Sequence, residues 1–135
     1  MEEVSALPAP VPEIPVGDLV AGLAYYRDKL GFTVDWQDEE LGLAGLSQGK
    51  ARLFMGAAPY RAHLKTAGPQ VIWFNLDGRA EVDALHARWQ AAGAKVGPLR
   101  SETPHKLHEF LAFDPDGNIL RVFYDYGWEE REGRK

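Results

Sequence analysis

Apolar residues recur along the chain in two patterns, one typical of strands and the other typical of helices. Residues 11–16 form a short apolar run, and a repeat with the three- and four-residue spacing of a helix follows it. The members of this repeat are Leu19, Leu23, Tyr26 and Leu30. Apolar runs at residues 32–36, 41–46 and 51–55 are then typical of three strands. The first half of the chain is therefore predicted to form a strand, a helix and three strands.

The same order of elements is predicted again after residue 69. Residues 70–76 form a strand, and a second helical repeat follows and ends at Gly93. The members of this second repeat are Val82, Leu85, Trp89 and Ala92. The second copy is completed by a short strand at residues 95–99 and by two strands within the segment 108–124. The pattern therefore predicts an α+β fold built from two βαβββ modules.

Residues that favour helix ends and turns stand between these elements. Asp18 is suited to cap the first helix, and Asp77 or Gly78 is suited to cap the second. Residues 37–40 form a polar turn. The sequence Asp-Pro-Asp-Gly at residues 114–117 predicts a tight hairpin, because proline presets the first corner of a turn and glycine accepts a positive φ.

The organisation of the chain follows from the same pattern. Pro12 and Pro15 remove two backbone donors from the first strand, so this strand is expected at a sheet edge. The predicted parts are a flexible N-terminal arm at 1–10, a single domain at 11–126 and a charged C-terminal tail at 127–135. Within the domain, the modules span about 11–56 and 70–124 and are joined by a connector at 57–69 that contains two prolines and a glycine.

Length, charge and composition limit the possible functions. The chain has 135 residues, enough for one domain, and its net charge of −5 comes without a cluster of lysine or arginine, so nucleic acid and anionic membranes are not expected partners. It contains no cysteine, which excludes disulfides, thiolate catalysis and cysteine-bound zinc. The first residues lack a signal-peptide pattern, and no apolar run reaches the ~20 residues of a membrane span. A cytoplasmic location is therefore expected.

Short motifs at opposite ends of the chain resemble one known family. Residues 113–118 read Phe-Asp-Pro-Asp-Gly-Asn and precede an apolar strand. Near the start stand Val-Gly-Asp-Leu at 16–19, Tyr-Tyr at 25–26 and Lys-Leu-Gly-Phe at 29–32. These motifs resemble the vicinal oxygen chelate superfamily, which includes glyoxalase I, extradiol dioxygenases and bleomycin resistance proteins. The resemblance implies that the two modules form a curved mixed sheet around a cleft.

Metal-dependent members of this superfamily hold a divalent ion with His, Gln or Glu on the first, fourth, fifth and eighth strands. The resemblance places the corresponding positions of this chain at Val11, at Leu53 or Phe54, at Val71 and at Arg121. Valine, leucine and phenylalanine offer no ligand atom, and a guanidinium repels a cation. We therefore expect no metal and no cofactor, and the missing ligands argue against an enzyme of the glyoxalase type.

The histidines and serines offer alternative chemistry. His105, His108 and Glu109 could form a metal site only if their segment turns, because neighbouring residues of a strand face opposite sides; otherwise they form an exposed, polar strand start. His86 is expected on the solvated face of the second helix, and His63 lies in the connector. No serine stands in a Gly-x-Ser-x-Gly motif, so a Ser-His-Asp arrangement is not expected.

Within the superfamily, the motifs are most similar to those of the bleomycin resistance proteins. The matching residues are Val11-Pro12, Asp-Leu-Val-Ala-Gly at 18–22, Tyr-Tyr-Arg-Asp-Lys-Leu-Gly-Phe at 25–32, Trp73, Arg88-Trp89, Glu109-Phe110 and 114–118. The resemblance implies a homodimer that sequesters an antibiotic, without metal, in clefts at the subunit interface. A bleomycin-like antibiotic is therefore the first small-molecule ligand to expect.

Aromatic and polar side chains supply the candidate ligand-binding residues of the cleft. They are Trp36, Phe54, Trp73, Asn75, Arg121 and Phe123. Trp73 and Asn75 share one face of the fifth strand, and Arg121 and Phe123 share one face of the last strand. Aromatic walls bind planar ligands by stacking, and Arg121 is expected to anchor an anionic or strongly polar group.

Three functions remain open at this point. The first is a metal-free small-molecule binding protein, the second is a glyoxalase- or dioxygenase-like metalloenzyme with displaced ligands, and the third is a structural or regulatory dimer without a small ligand. For the candidate residues themselves, the alternative interpretation is that Trp73 and Phe123 are core residues and that Arg121 pairs with Glu13 or Glu109 from a nearby strand.

Overall fold

The first module follows the predicted order of elements. The computed structural model describes residues 9–63, 68–101, 106–127 and 129. The first module comprises strand β1 (Glu13–Pro15), helix α1 (Leu19–Asp28) and strands β2 (Thr33–Asp38), β3 (Leu43–Gln48) and β4 (Ala51–Gly56). A short 3-10 helix at Tyr60–His63 follows β4.

The second module repeats this order. It comprises strand β5 (Val71–Asn75), helix α2 (Arg79–Ala91) and strands β6 (Lys95–Val96), β7 (Leu107–Phe113) and β8 (Ile119–Asp125). Each module forms a four-stranded mixed sheet, with the orders β1-β4-β3-β2 and β5-β8-β7-β6. In each sheet the first strand pairs in parallel with the last strand, and the other pairs are antiparallel. The two-module fold predicted from the sequence is confirmed.

The helices cover one face of the sheets and form the core with it. The buried side of α1 carries Leu19, Leu23 and Tyr26, and α2 buries Val82 and Trp89. These residues belong to a single apolar cluster with alternate residues of both sheets, including Ile14, Leu46, Leu53, Met55, Phe110, Leu120 and Val122. The period-two alternation of the strands therefore directs the other side chains to the opposite face of each sheet, away from α1 and α2.

The ends of the helices and strands agree with the sequence-based predictions at some positions and differ at others. Asp18 caps α1 as predicted, since its Oδ1 accepts a hydrogen bond from the Ala21 amide at 3.0 Å. The cap of α2 is Gly78, which makes no side-chain hydrogen bond. β2 extends to Asp38, into the predicted polar turn at 37–40, because Gln37 and Asp38 pair with β3. β6 is only two residues long, and the predicted strand at 95–99 is therefore too long.

The hairpin turn between β7 and β8 joins the two modules. The buried carboxylate of Asp114 accepts hydrogen bonds from the Tyr26 hydroxyl at 3.0 Å, from the backbone amides of Asp116 and Asn118, and from the Asn118 side chain at 2.8 Å. The Asn118 amide nitrogen also donates to the Pro15 carbonyl, and its oxygen accepts from the Gln70 amide. Burial and the nearby Asp114 carboxylate both raise the pKa of Tyr26. This turn therefore fixes α1, β1 and the start of β5 to one another.

Neither helix is suited to a membrane. In the described part of the chain, α1 has 10 residues and α2 has 13, and no helix there is long and apolar enough to cross a bilayer.

Candidate ligand-binding faces

In the described part of the chain, each sheet has one face that neither α1 nor α2 covers, and both faces carry an aromatic pair. On the first sheet, cross-strand neighbours place Glu13, Phe54, Gly45 and Trp36 side by side. We call these four residues the open face of the first sheet. On the second sheet, the corresponding surface, which we call the open face of the second sheet, comprises Val71, Trp73, Glu109, Arg121 and Phe123. Directly opposite residues of paired strands share a face, so each group lies on one side of its sheet.

A β-bulge places Trp36 on the open face. Val34 pairs with the buried Leu46, whereas Trp36 pairs with Gly45, so the register shifts by one residue between them. This shift turns Trp36 to the side opposite Val34, although the two residues would share a face in a regular strand. The hydroxyl of Ser47 donates to the Asp35 carboxylate at 3.1 Å, beside the bulge.

The Trp36 indole lies against the backbone of Gly45 and meets Phe54 edge-on. The ring centroids of Trp36 and Phe54 are 5.7 Å apart, and 41% of Trp36 remains exposed. A Cβ added at Gly45 would overlap the indole nitrogen, so this position of the ring requires glycine. The Arg52 guanidinium lies 5.8 Å from the Phe54 ring centroid. The first open face is therefore a flat aromatic surface with a cation beside it.

Trp73 and Phe123 form the aromatic pair of the second open face. Their ring centroids are 5.5 Å apart in an edge-on arrangement, and 52% of Trp73 is exposed. Phe123 is half-buried and lies opposite Asn75 on the neighbouring strand. The interpretation of Trp73 and Phe123 as core residues is therefore wrong.

The structure gives Arg121 a partner within the domain. Its Nε and Nη2 atoms donate to the two oxygens of Glu109 at 2.8 Å and 3.1 Å. Glu109 is only 3% exposed, so this ion pair lies mostly below the surface. The Arg121 guanidinium also lies 4.5 Å from the Trp73 ring centroid. Of the two structural partners considered from the sequence, Glu109 is the correct one.

Glu13, the other candidate, pairs elsewhere. On the open face of the first sheet, the Nη1 atom of Arg61 donates to the carboxylate of Glu13 at 2.5 Å. Each open face therefore combines a tryptophan, a phenylalanine and an arginine–glutamate ion pair.

The predicted site residues thus form two groups. One group lies on the second sheet, where Trp73 contacts both Arg121 and Phe123. Asn75 lies on the same face, beside Phe123. Trp36 and Phe54 form a separate pair on the first sheet.

The donors that a divalent metal needs are not assembled at the positions implied by the resemblance. Val71 and Arg121 lie on the open face of the second sheet, and Leu53 is buried in the core. In the described residues, no three His, Asp or Glu side chains form a group that could hold a metal ion. The glutamates of the open faces, Glu13 and Glu109, are each paired with an arginine. These residues do not fit a divalent cation.

The histidines make contacts that the sequence did not indicate. His86 is half-buried rather than solvated, because its Nε2 atom lies 2.9 Å from the Gly97 carbonyl and its ring packs edge-on against Phe110. His108 and Glu109 point to opposite faces of β7, so they cannot share a metal site. His105 and the side chain of His63 lie outside the described residues.

A serine, a histidine and an aspartate form a hydrogen-bonded row, contrary to expectation. The Ser101 hydroxyl lies 2.5 Å from His108 Nδ1, and His108 Nε2 lies 2.6 Å from the Asp83 carboxylate. The Tyr126 hydroxyl donates to the Ser101 carbonyl at 2.6 Å. This row connects α2, β7 and the segment before β7, and it holds that segment against the sheet.

A groove of about 680 Å³ lies on the other side of β5, towards α2. Its apolar wall includes Phe32, Phe74 and Trp89, and its rim carries Lys50 and Arg88. The groove shares only Trp73 and Asn75 with the predicted site, since both residues stand on β5. It is large enough for a drug-sized molecule and gives an alternative location for a ligand.

Comparisons with known proteins agree with the fold and with the motifs. The family model described as Glyoxalase/Bleomycin resistance protein/Dioxygenase superfamily matches residues 9–122. A bleomycin resistance protein from Geobacillus stearothermophilus is 27% identical over 126 residues, which cover 84% of this chain and 93% of that protein.

Solved structures show the same likeness. The bleomycin-binding protein from bleomycin-producing Streptomyces verticillus, complexed with copper(II)-bleomycin, is 27% identical with a TM-score of 0.66, covering 89% of this chain and 97% of that one. Lactoylglutathione lyase from Agrobacterium tumefaciens has a TM-score of 0.74 at 22% identity, covering 92% and 98%, and this likeness is one of fold. With its two βαβββ modules and a family match over most of its length, the chain belongs to the glyoxalase/bleomycin resistance protein/dioxygenase superfamily.

Proposed function

We propose that this protein binds a small, partly aromatic molecule, such as a bleomycin-like antibiotic, on the open faces of its sheets and without a metal. One observation carries the proposal. Two tryptophans, Trp36 and Trp73, are 41% and 52% exposed, and each is held edge-on against a phenylalanine. Large aromatic side chains that are left in water and fixed in orientation are typical of ligand-binding surfaces.

The fixed orientation of the rings favours a planar ligand. Trp36 is supported by Gly45, and Trp73 is held between Phe123 and the guanidinium of Arg121. Because both rings are held by neighbours, little side-chain entropy is lost when a ligand stacks on them. Each stacking contact contributes about 0.5–1.5 kcal/mol beyond the burial of apolar area.

The relatives support the same class of ligand. The bleomycin-binding protein of Streptomyces verticillus is 27% identical to this chain and was solved with copper(II)-bleomycin. The bleomycin resistance protein of Geobacillus stearothermophilus has the same identity. The absence of a fitting donor set among the described residues favours binding over metal-dependent catalysis of the glyoxalase type.

Replacing Trp73 with alanine should weaken the binding of metal-free bleomycin about ten- to thirtyfold, because a stacking surface and its buried area are lost together. Trp73→Phe should recover part of the affinity, since it restores an aromatic ring. Isothermal titration calorimetry measures the affinity, and tryptophan emission reports the contact. Metal-free bleomycin is used because copper(II) itself quenches indole emission.

The matched control for this experiment fills the groove beside α2. Ala84 is exposed and lines the groove, so Ala84→Phe reduces its volume; it stands on α2 and not on a strand of the open faces. This variant should bind bleomycin as the unchanged protein does. Loss of binding in Ala84→Phe would locate the ligand in the groove, whatever the effect of Trp73→Ala, because Trp73 lines the groove as well. No binding of bleomycin by the unchanged protein would reject this antibiotic as the ligand.

We expect the protein to be a homodimer in which the partner covers part of the open faces. Val71 and Trp73 lie together on one face and are 51% and 52% exposed, which is the kind of apolar patch that a two-fold partner buries. Light scattering at micromolar concentration should give twice the chain mass of 15.0 kDa. Val71→Asp should shift the protein towards the monomer.

Val20 provides the control for this substitution. It is also a valine, it is 56% exposed, and it lies on α1, away from the open faces. Val20→Asp should leave the dimer intact. A monomeric unchanged protein, or equal dissociation by both substitutions, would contradict the assignment of the interface to the open faces.

A further inference from the structure

We propose that Arg100 is the anion-binding residue of the second open face, so that this face prefers partly aromatic ligands that carry a carboxylate, phosphate or sulfonate group, whereas a cationic ligand such as bleomycin contacts only the aromatic rings. This inference rests on the proposed function and assigns a part of the ligand to a part of the site. Arg100 was not among the residues expected from the sequence. Its place follows from the backbone pairing of the segment before β7.

Arg100 and Glu109 lie directly opposite each other. The Arg100 amide donates to the Glu109 carbonyl at 3.0 Å, and the Glu109 amide donates to the Arg100 carbonyl at 2.9 Å. Residues that exchange both backbone hydrogen bonds in an antiparallel pair project their side chains to the same side. The Arg100 side chain therefore belongs to the face that carries Glu109 and Arg121.

A small cavity lies between these three charged residues. It has a volume of about 190 Å³, and Leu111 and Phe113 contribute to its apolar lining. At about 30 Å³ for each water molecule, this space corresponds to roughly six waters and accommodates one sulfonate, phosphate or carboxylate group. Arg121 lines the cavity and also contacts Trp73, so the cavity adjoins the aromatic part of the site.

The charges in this cavity do not cancel. Two guanidinium groups, from Arg100 and Arg121, face one carboxylate, and both oxygens of Glu109 already accept hydrogen bonds from Arg121. Within the described residues, the Arg100 side chain makes no hydrogen bond or ion pair and is exposed. The surplus positive charge therefore resides on Arg100, and its five donors are available to an anion.

The backbone around Arg100 is held in place by its neighbours. Ser101 contacts His108, which contacts Asp83 on α2, and the Gly97 amide donates to the Leu111 carbonyl at 2.8 Å. These contacts fix both ends of the segment that carries Arg100. The cavity wall is therefore formed before a ligand arrives, which favours binding because little ordering remains.

Two fluorescent probes that differ by a single group test this inference. 8-Anilinonaphthalene-1-sulfonate carries a sulfonate, and N-phenyl-1-naphthylamine has the same aromatic rings without it. The unchanged protein should bind the sulfonate probe about tenfold more tightly, as expected for one charge-assisted contact. Arg100→Gln should remove this preference and change the affinity for the neutral probe less than about twofold, while Arg100→Lys, which keeps the charge but not the planar fork of donors, should retain part of it.

Arg88→Gln is the matched control, because Arg88 is also exposed but lines the groove beside α2. It removes the same charge and should leave both affinities unchanged. If Trp73→Ala weakens both probes but Arg100→Gln leaves the preference intact, the anion site is wrong and the proposed function stands. The anion site is also wrong if Arg88→Gln, rather than Arg100→Gln, removes the preference. If neither probe responds to Trp73→Ala, the proposed function itself fails.

Discussion

Replacing Asp114 with alanine should lower the free energy of unfolding by about 3–5 kcal/mol, enough to unfold a marginally stable domain. The carboxylate accepts four hydrogen bonds, and it is 6% exposed. Its removal leaves the Tyr26 hydroxyl, the Asn118 backbone amide and one of the two side-chain N–H groups of Asn118 without an acceptor in the interior. Each buried polar group without a partner costs about 1–3 kcal/mol. Urea unfolding followed by circular dichroism measures the loss.

Asp116 provides the control within the same turn. Its carboxylate accepts one hydrogen bond, from the Gly17 amide at 2.9 Å, in an exposed position. Because water can replace this contact, Asp116→Ala should cost less than about 1 kcal/mol. Equal and small losses for both variants would show that the turn does not join the modules through Asp114. A large loss for Asp114→Ala alone supports that role.

Replacing Arg121 with leucine should lower the free energy of unfolding by about 3 kcal/mol, because Glu109 then remains in the interior without its partner. The Glu109 side chain is 4% exposed and that of Arg121 is 30% exposed, so water reaches the pair only from the arginine side. The double variant Arg121→Leu/Glu109→Leu should recover most of the loss, since no charge is then left buried. Thermal and urea unfolding of the unchanged protein, Arg121→Leu, Glu109→Leu and the double variant give the coupling energy.

The ion pair of the first sheet is the control for this cycle. Glu13 is 25% exposed and the Arg61 side chain is 15% exposed, so the carboxylate of Glu13 can regain water when the arginine is removed. Arg61→Leu should therefore cost about 1 kcal/mol. If Arg121→Leu leaves stability unchanged and instead weakens anionic ligands, Arg121 is a ligand anchor, as the sequence suggested, and not a structural partner of Glu109.

Features that depend on neighbouring residues could be predicted from the sequence. The cap at Asp18 and the hairpin at residues 114–117 are formed within four residues, so the identity of those residues is sufficient. The position of β1 at a sheet edge was also predicted, from its own prolines. The two-module fold follows from the spacing of apolar positions, which reflects only whether a side chain faces the core.

Contacts between distant segments could not be predicted in this way. His86 contacts Gly97, and His108 contacts Asp83 and Ser101, because α2 packs against β7. The sequence of neither element alone indicates this packing. The pairing of Arg121 with Glu109 was considered from the sequence, since both lie on one hairpin. Its geometry, with both oxygens of Glu109 occupied, required the structure.

The candidate site could be predicted only in part, because it too depends on contacts between distant segments. Strand alternation identified Trp73, Asn75, Arg121 and Phe123 as residues of one face, and their strands are regular there. If β2 were regular, Trp36 would share the core-facing side of the strand with Val34. Only the bulge turns Trp36 to the open face. A bulge is determined by the pairing of two strands rather than by the sequence of one.

The contact between Trp36 and Gly45 links two positions whose substitutions cannot be independent. Any residue larger than glycine at position 45 displaces the indole, whereas a small residue at position 36 leaves room for a side chain at 45. During divergence, a side chain acquired first at position 45 would therefore displace the Trp36 ring from its place beside Phe54. Loss of Trp36 first leaves room at position 45 for a side chain that recognises a different ligand. The order in which new ligand preferences arise on this face is thus constrained by a single backbone contact.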